Sequence, residues 1–200
     1  MVVAITVGPQ EKSLHDCPLP TPFFMDSMIE QLAEYAVGLR YKDLTPEAAH
    51  ECKRRLIDTL GCLAGGFGAR PSVIARALAR RGRGDPSARI LGTQERSTPE
   101  LAAFANGVMM RYLDFNDVYF GKSAGHPSDI FAAILAAADA VRADGRSAIT
   151  ASALAYDVFC NFSESVPREQ GWDHTVFGVI ADAVGAGKLL GLSRGKMGNA

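Results

Sequence analysis

One short polar stretch, Arg111 to Asp129 (RYLDFNDVYFGKSAGHPSD), holds an unusual share of groups that can move protons or hold anions. It carries Asp114, Asn116, Asp117, Lys122 and His126 between long apolar segments. His126 stands directly before Pro127. If Pro127 is a first helical position, His126 lies at a helix N-terminus, where free N–H groups favour a carboxylate. Its imidazole can give or take a proton near neutral pH. The competing reading is that His126 only caps the helix. Asp114 and Asp117 are three apart and share a face if the preceding helix continues through them. They would then orient a histidine or lysine, or take a proton themselves. The alternative is a pair of loop acids facing water. Lys122 can meet an anionic group, or simply be solvated.

His174 is the second histidine placed at an expected helix start, behind the capping residue Asp173. His15 falls in the lead-in and His50 on a helix, and neither is assigned a role. A metal bound by the two aspartates and His126 would lack any HxxxH or HxH spacing, so no metal is expected.

The elements that must position these groups read as helices. Residues 1 to about 24, with Pro18, Pro20 and Pro22, form a loose lead-in. A helix follows over 27–39, capped by Asp26 or Ser27. The next opens at Thr45, Pro46 and Glu47 and buries Cys52, Leu56, Thr59, Leu60 and Leu63. Lys53, Arg54 and Arg55 are expected on its solvated face, and Gly65, Gly66 and Gly68 at its end. Residues 71–81 give a shorter helix with a local basic patch that includes Arg76. Residues 87–91 are the one expected strand. A further helix starts at Pro99 and turns Leu101, Phe104, Ala105, Val108 and Tyr112 inward. After the polar stretch, Pro127 and Ser128 open an alanine-rich helix that Gly145 ends. Two more follow, over 147–164 and from Asp173 onward. Ser193 reads as the cap of yet another helix, so 25–200 is expected to be the front part of a longer helical domain. The fold class is all-α, a multi-helix bundle.

Bulk composition narrows the function. The 200 residues are 48% apolar and 22% charged, with a net charge of −1, as expected of a globular protein with a real core. No long basic run is present, which argues against nucleic acid as a partner. Asp139, Asp157, Asp182 or Lys188 interrupts the longest apolar stretches, so no membrane span is expected. Cys17, Cys52, Cys62 and Cys160 form no CxxC pair and read as apolar fillers in a reducing, cytoplasmic setting.

Four segments together resemble the MmgE/PrpD family of 2-methylcitrate dehydratases and cis-aconitate decarboxylases. They are RRLIDTLGCLAGG (54–66), LAAFANGVMMRYLDFNDVYF (101–120), GHPSD (125–129) and WDHTVFGVIADAVGAGKLLGL (172–192). The resemblance implies a large all-α domain, with a smaller α/β lid and active-site lysines beyond Ala200. It implies a homodimer, no cofactor, and a small di- or tricarboxylate substrate. The reaction implied is water elimination, with decarboxylation or epimerisation as alternatives. Asp114 matches the first acid of the family's DFxD motif, His126 the histidine of GHPS, and His174 a second active-site histidine. These three are the expected catalytic residues. Lys122, Val118 and Ser128 are the expected substrate contacts, and Val118 stands where the family commonly has threonine. A non-catalytic helical module that serves dimerisation is the reading from another class.

Overall fold

A computed structural model describes residues 22–200 of the chain, and the side chains from Ser27 onward. Eight α-helices build the described part: α1 Pro22–Gly38, α2 Pro46–Gly66, α3 Arg70–Ala79, α4 Pro99–Arg111, α5 Phe131–Ala140, α6 Gly145–Ser165, α7 His174–Leu189 and α8 Arg194–Met197. Two two-stranded antiparallel ladders join them, β1 Ala88–Arg89 with β2 Arg96–Ser97, and β3 Tyr119–Phe120 with β4 Ala124–Gly125. The expected all-α bundle is what forms. Most of the expected lead-in, with His15 and Cys17, lies outside the described residues. Its last three residues are helical instead. Pro22 takes the first position of α1, which leaves Asp26 and Ser27 inside the helix rather than at its cap.

Local start signals explain where several helices begin. Thr45 accepts the Ala48 N–H at 3.1 Å and Pro46 follows it, as expected of α2. Asp173 caps α7 through the Thr175 N–H at 2.9 Å. Asp144 caps α6 through Ser147 N at 2.8 Å, so Gly145 opens α6 rather than closing the helix before it.

The core lies where α6 crosses α7 and α4 crosses α5 and α2. Alanines let these helices approach closely. Ala105, Ala151, Ala155 and Ala181 are fully buried among Met109, Ile134, Leu154, Phe131 and Phe159. Each large apolar side chain so buried contributes about 1.5–3 kcal/mol. Cys52 and Cys62 are buried in this packing, as expected. Three inward assignments are corrected. Leu60, Phe104 and Tyr112 are exposed, because helical spacing marks an apolar face without saying that this part of the chain covers it. Arg76 is no surface patch either. It is buried, donates to the Phe67 carbonyl at 2.6 Å and lies over the Phe67 ring. Among the described helices none is long and apolar enough to cross a membrane.

Candidate active site

The polar stretch is built by stopping α4 early. The helix ends at Arg111, and Asp114 takes a left-handed conformation at φ 55°, which turns the chain out of the helical path. Aspartate is among the few non-glycine residues that tolerate this region. The expected shared face for Asp114 and Asp117 therefore does not form. The Asp114 side chain is 71% exposed and that of Asp117 only 4%.

Asp117 is the anchor of the loop. Its Oδ1 accepts the Ser128 N–H at 3.1 Å and its Oδ2 accepts the Tyr156 hydroxyl at 3.0 Å. Burial, and then the Asp117 charge, push the Tyr156 hydroxyl well above its ordinary range, so it stays a donor. Arg55 comes within 3.9 Å of Oδ2 with its side chain only 19% exposed, which corrects its assignment to a solvated face. The element that His126 precedes is a four-residue 3-10 turn, Pro127–Ile130, and α5 begins only after it. Asp117 already supplies the anion for that turn's N-terminus.

A hairpin then carries the chain back. Gly121 lies against the end of α6, where a Cβ would come within 2.8 Å of the Ser163 carbonyl oxygen. Ser123 N donates to that same oxygen at 2.9 Å, and Ser163 Oγ donates to the Ser123 carbonyl. Tyr119 donates to Glu164 at 2.6 Å. The hairpin was not anticipated, because its two-residue strands carry no alternation to read. Lys122 is exposed at its tip, and Val118 is exposed just before it. Ser128 is buried at 1% exposure and its hydroxyl accepts from Asn116 Nδ2 at 3.3 Å. The structure thus puts Ser128 under the loop as a support.

The two histidines, 48 positions apart in sequence (174 less 126), meet with ring centroids 5.6 Å apart at 69°. His126 makes no capping bond. Its Nδ1 lies 2.9 Å from the Asp117 carbonyl, which can only accept, so Nδ1 carries the hydrogen. Nε2 is left with the proton to gain or lose, 3.7 Å from Asp114 Oδ1. Arg111 bonds Asp114 from the other side. That bond, and then the guanidinium charge, hold the Asp114 carboxyl below the usual range. His174 is the first residue of α7, with Nδ1 3.4 Å from Asp173 Oδ1. Its Nε2 has no hydrogen-bond partner among the described residues. Gly125 makes the meeting sterically feasible: a Cβ there would sit 2.5 Å from the His174 Cβ and 2.8 Å from its Cγ.

Around Asp129, on whose carboxyl both imidazoles act, lie polar groups to which the sequence reading assigned no role. Asn116 is buried and reaches Asp129 Oδ1 at 3.5 Å, while its own Oδ1 finds no donor. Asp129 Oδ2 stands 3.5 Å from Arg111 Nε. Burial raises the Asp129 carboxyl, against the lowering charges of Arg111, His126 and His174. Asp182, on α7, is pushed up to about 7 by burial and then by Asp129, and its Oδ1 is buried without a partner. The available signal was Asp182 itself, a lone acid in the apolar run of α7. Among the described residues, no three His, Cys, Asp or Glu side chains are grouped so as to hold a metal ion.

Asp114, His126 and His174 thus come together at one place, with an imidazole nitrogen on each histidine free to exchange a proton. Such a set can take a proton from carbon and return one to a departing oxygen. Comparison with known proteins agrees in class. A family model described as the MmgE/PrpD N-terminal domain matches residues 30–200. A 2-methylcitrate dehydratase of Cupriavidus necator is 33% identical over 196 residues, covering 88% of this chain and 38% of the relative. One from Salmonella typhimurium is 34% identical over 191 residues with the same coverage, and one from Escherichia coli K12 is 31% identical. The chain spans 38% of the length of these relatives.

Proposed function

The chain belongs to the MmgE/PrpD family, and on that premise we propose that the protein is a lyase removing water from a small di- or tricarboxylate such as 2-methylcitrate. The observation that carries this reading is the meeting of His126 and His174 at 5.6 Å, with Asp114 against one of them. Elimination needs a base for the hydrogen on the carbon beside a carboxylate, and an acid for the leaving hydroxyl. One imidazole takes the carbon-bound proton. The other delivers a proton to the hydroxyl, which leaves as water while the carbon–carbon double bond forms. Asp114 faces His126 Nε2 at 3.7 Å and orients that imidazole. Asp117, through its carbonyl, keeps the His126 Nδ1 proton in place, so that Nε2 is the working nitrogen. This chemistry calls on no cofactor. The family resemblance also implies a homodimer, which light scattering tests as a particle of twice the subunit mass.

The reading is tested with the full-length protein and 2-methylcitrate, by the rise in ultraviolet absorbance of the conjugated acid. The rise is expected with the wild type, and a full-length, folded protein that gives none contradicts 2-methylcitrate as the substrate. One observation favours a second reading within the family. Val118 has no group to hydrogen-bond a carboxylate, at a position where the family resemblance implies threonine. A different carboxylate, decarboxylated or epimerised by the same histidines, would then be turned over. Carbon dioxide release or loss of optical activity, without the absorbance rise, would identify it.

A further inference from the structure

Arg111 is the last residue of α4, where the site loop begins. Its guanidinium meets two acids. Nη1 bonds Asp114 Oδ1, three positions on, and Nε stands 3.5 Å from Asp129 Oδ2, eighteen positions on (129 less 111). Each of these acids is also joined to His126. Asp114 Oδ1, the same oxygen that Arg111 bonds, is 3.7 Å from His126 Nε2. The Asp129 N–H donates to the His126 carbonyl at 3.1 Å. The four residues close a ring of contacts, with His126 opposite Arg111. An arginine and an aspartate three apart at a helix end are ordinarily a solvated pair that contributes little. Two observations set this pair apart. Asp114 is held in the left-handed region, which costs an L residue conformational energy, and its side chain stays 71% exposed, so burial does not offset that cost. The second nitrogen of the same guanidinium meets the turn that follows His126. Among the described residues no lysine and no other arginine pairs with Asp114.

We propose that Arg111 is a positioning residue of the histidine site, spanning Asp114 and Asp129 so that His126 is fixed both at its Nε2 edge and at its backbone. The consequence for turnover rests on the lyase reading, whereas the placement does not. A guanidinium suits the task because its donors form a rigid planar fork, which holds two acids at a set angle. An ammonium is a compact point charge on a flexible stem and supplies no such fork. Without the span, the exposed Asp114 carboxylate can turn into water, and His126 loses the group that orients it at Nε2. The Asp117 carbonyl still holds Nδ1. The loop therefore keeps its anchor, and only the working edge of the ring is loosened.

The test uses Arg111→Gln, Arg111→Lys and Asp114→Asn in the full-length protein, asparagine being a residue that tolerates the left-handed region. On the substrate that the wild type turns over, kcat should fall about 10–100-fold in Arg111→Gln while KM stays within about threefold. Arg111→Lys should lose nearly as much, because the charge returns without the span. The double variant Arg111→Gln with Asp114→Asn should be little worse than the worse single one, since the arginine acts through that acid. Near-wild-type kcat in Arg111→Lys would overturn the proposal, and would decide alone should Arg111→Gln not fold. Losses that multiply in the double variant, or a KM raised more than about tenfold with kcat kept, would overturn it too. A second readout needs no turnover. The carbon-13 carboxyl signal of Asp114, identified by its loss in Asp114→Asn, should titrate below the usual range in the wild type, where Arg111 bonds it. In Arg111→Gln it should return to about 3.9. A signal that does not move contradicts the placement. A protein that turns over no carboxylate but shows this return would sink the lyase reading and keep the placement.

Discussion

Asp117 and Asp182 are both carboxylates held against the helical core, in opposite surroundings. Asp117 is met by the Ser128 amide, the Tyr156 hydroxyl and, at 3.9 Å, the Arg55 guanidinium. Asp182 meets no donor on Oδ1 and faces the charge of Asp129. A charge surrounded by donors is fixed and can serve as an anchor. An acid without them holds a proton and responds to pH. His126 is tied to the first through the Asp117 carbonyl, and both imidazoles act electrostatically on Asp129, the acid that acts on the second. Proton chemistry uses both kinds of neighbour, one to set geometry and one to set charge.

Breaking the anchor should have the largest effect. Asp117→Ala leaves Arg55 without its nearest loop acid, and the Ser128 amide and Tyr156 hydroxyl without an acceptor. A loss of about 2–4 kcal/mol is expected in denaturant unfolding, because two part-buried donors lose their acceptor while Arg55 keeps Glu51 at 3.8 Å. A loss below about 1 kcal/mol would show that water replaces the carboxylate there.

Next comes the pH dependence of the unanchored side. The Asp182 carboxyl is raised to about 7 in the folded protein, against about 3.9 when unfolded. Between those values the native state binds the extra proton. Stability from this group is therefore complete below the unfolded value, falls as pH rises through the window, and levels off above about 7. Asp182→Asn removes that slope and should be more stable than the wild type at pH 8 by thermal unfolding. A wild type equally stable, relative to the variant, at pH 5 and pH 8 would contradict this.

Two smaller changes sharpen the contrast. Tyr156→Phe removes one donor from Asp117 and should cost about 1–1.5 kcal/mol while leaving the histidine titrations nearly unchanged. Val118→Thr, at an exposed position, should alter stability by less than about 0.5 kcal/mol. It is expected to improve turnover of 2-methylcitrate if the missing hydroxyl limits that substrate, and unchanged turnover would clear Val118.

What was legible in the sequence was local. Thr45 with Pro46, and Asp173 before His174, announce helix starts because cap and amide lie within three residues of each other. The proposed catalytic trio came from a motif resemblance, and the fold brings its members together. What stayed hidden depends on distant partners. Asp117 reads as the lesser of two loop acids until Tyr156, 39 residues on, is placed over it. Gly125 is only one letter of the GHPSD motif until His174 packs against it. Arg76 looks like surface charge until the Phe67 carbonyl and ring accept it. The spacing of Asp114 and Asp117 suggested a shared face, and one left-handed residue undid it.

The central claim is that His126 and His174 act as one proton-transfer unit. It is tested most directly by alanine at each position and at both, in the full-length protein, with turnover measured on the substrate that the wild type accepts and folding checked by circular dichroism. Each single change should lower kcat by about 10²–10⁴, and the double change should be little worse than the worse single one. Either single variant retaining near-wild-type turnover while folded would contradict the account.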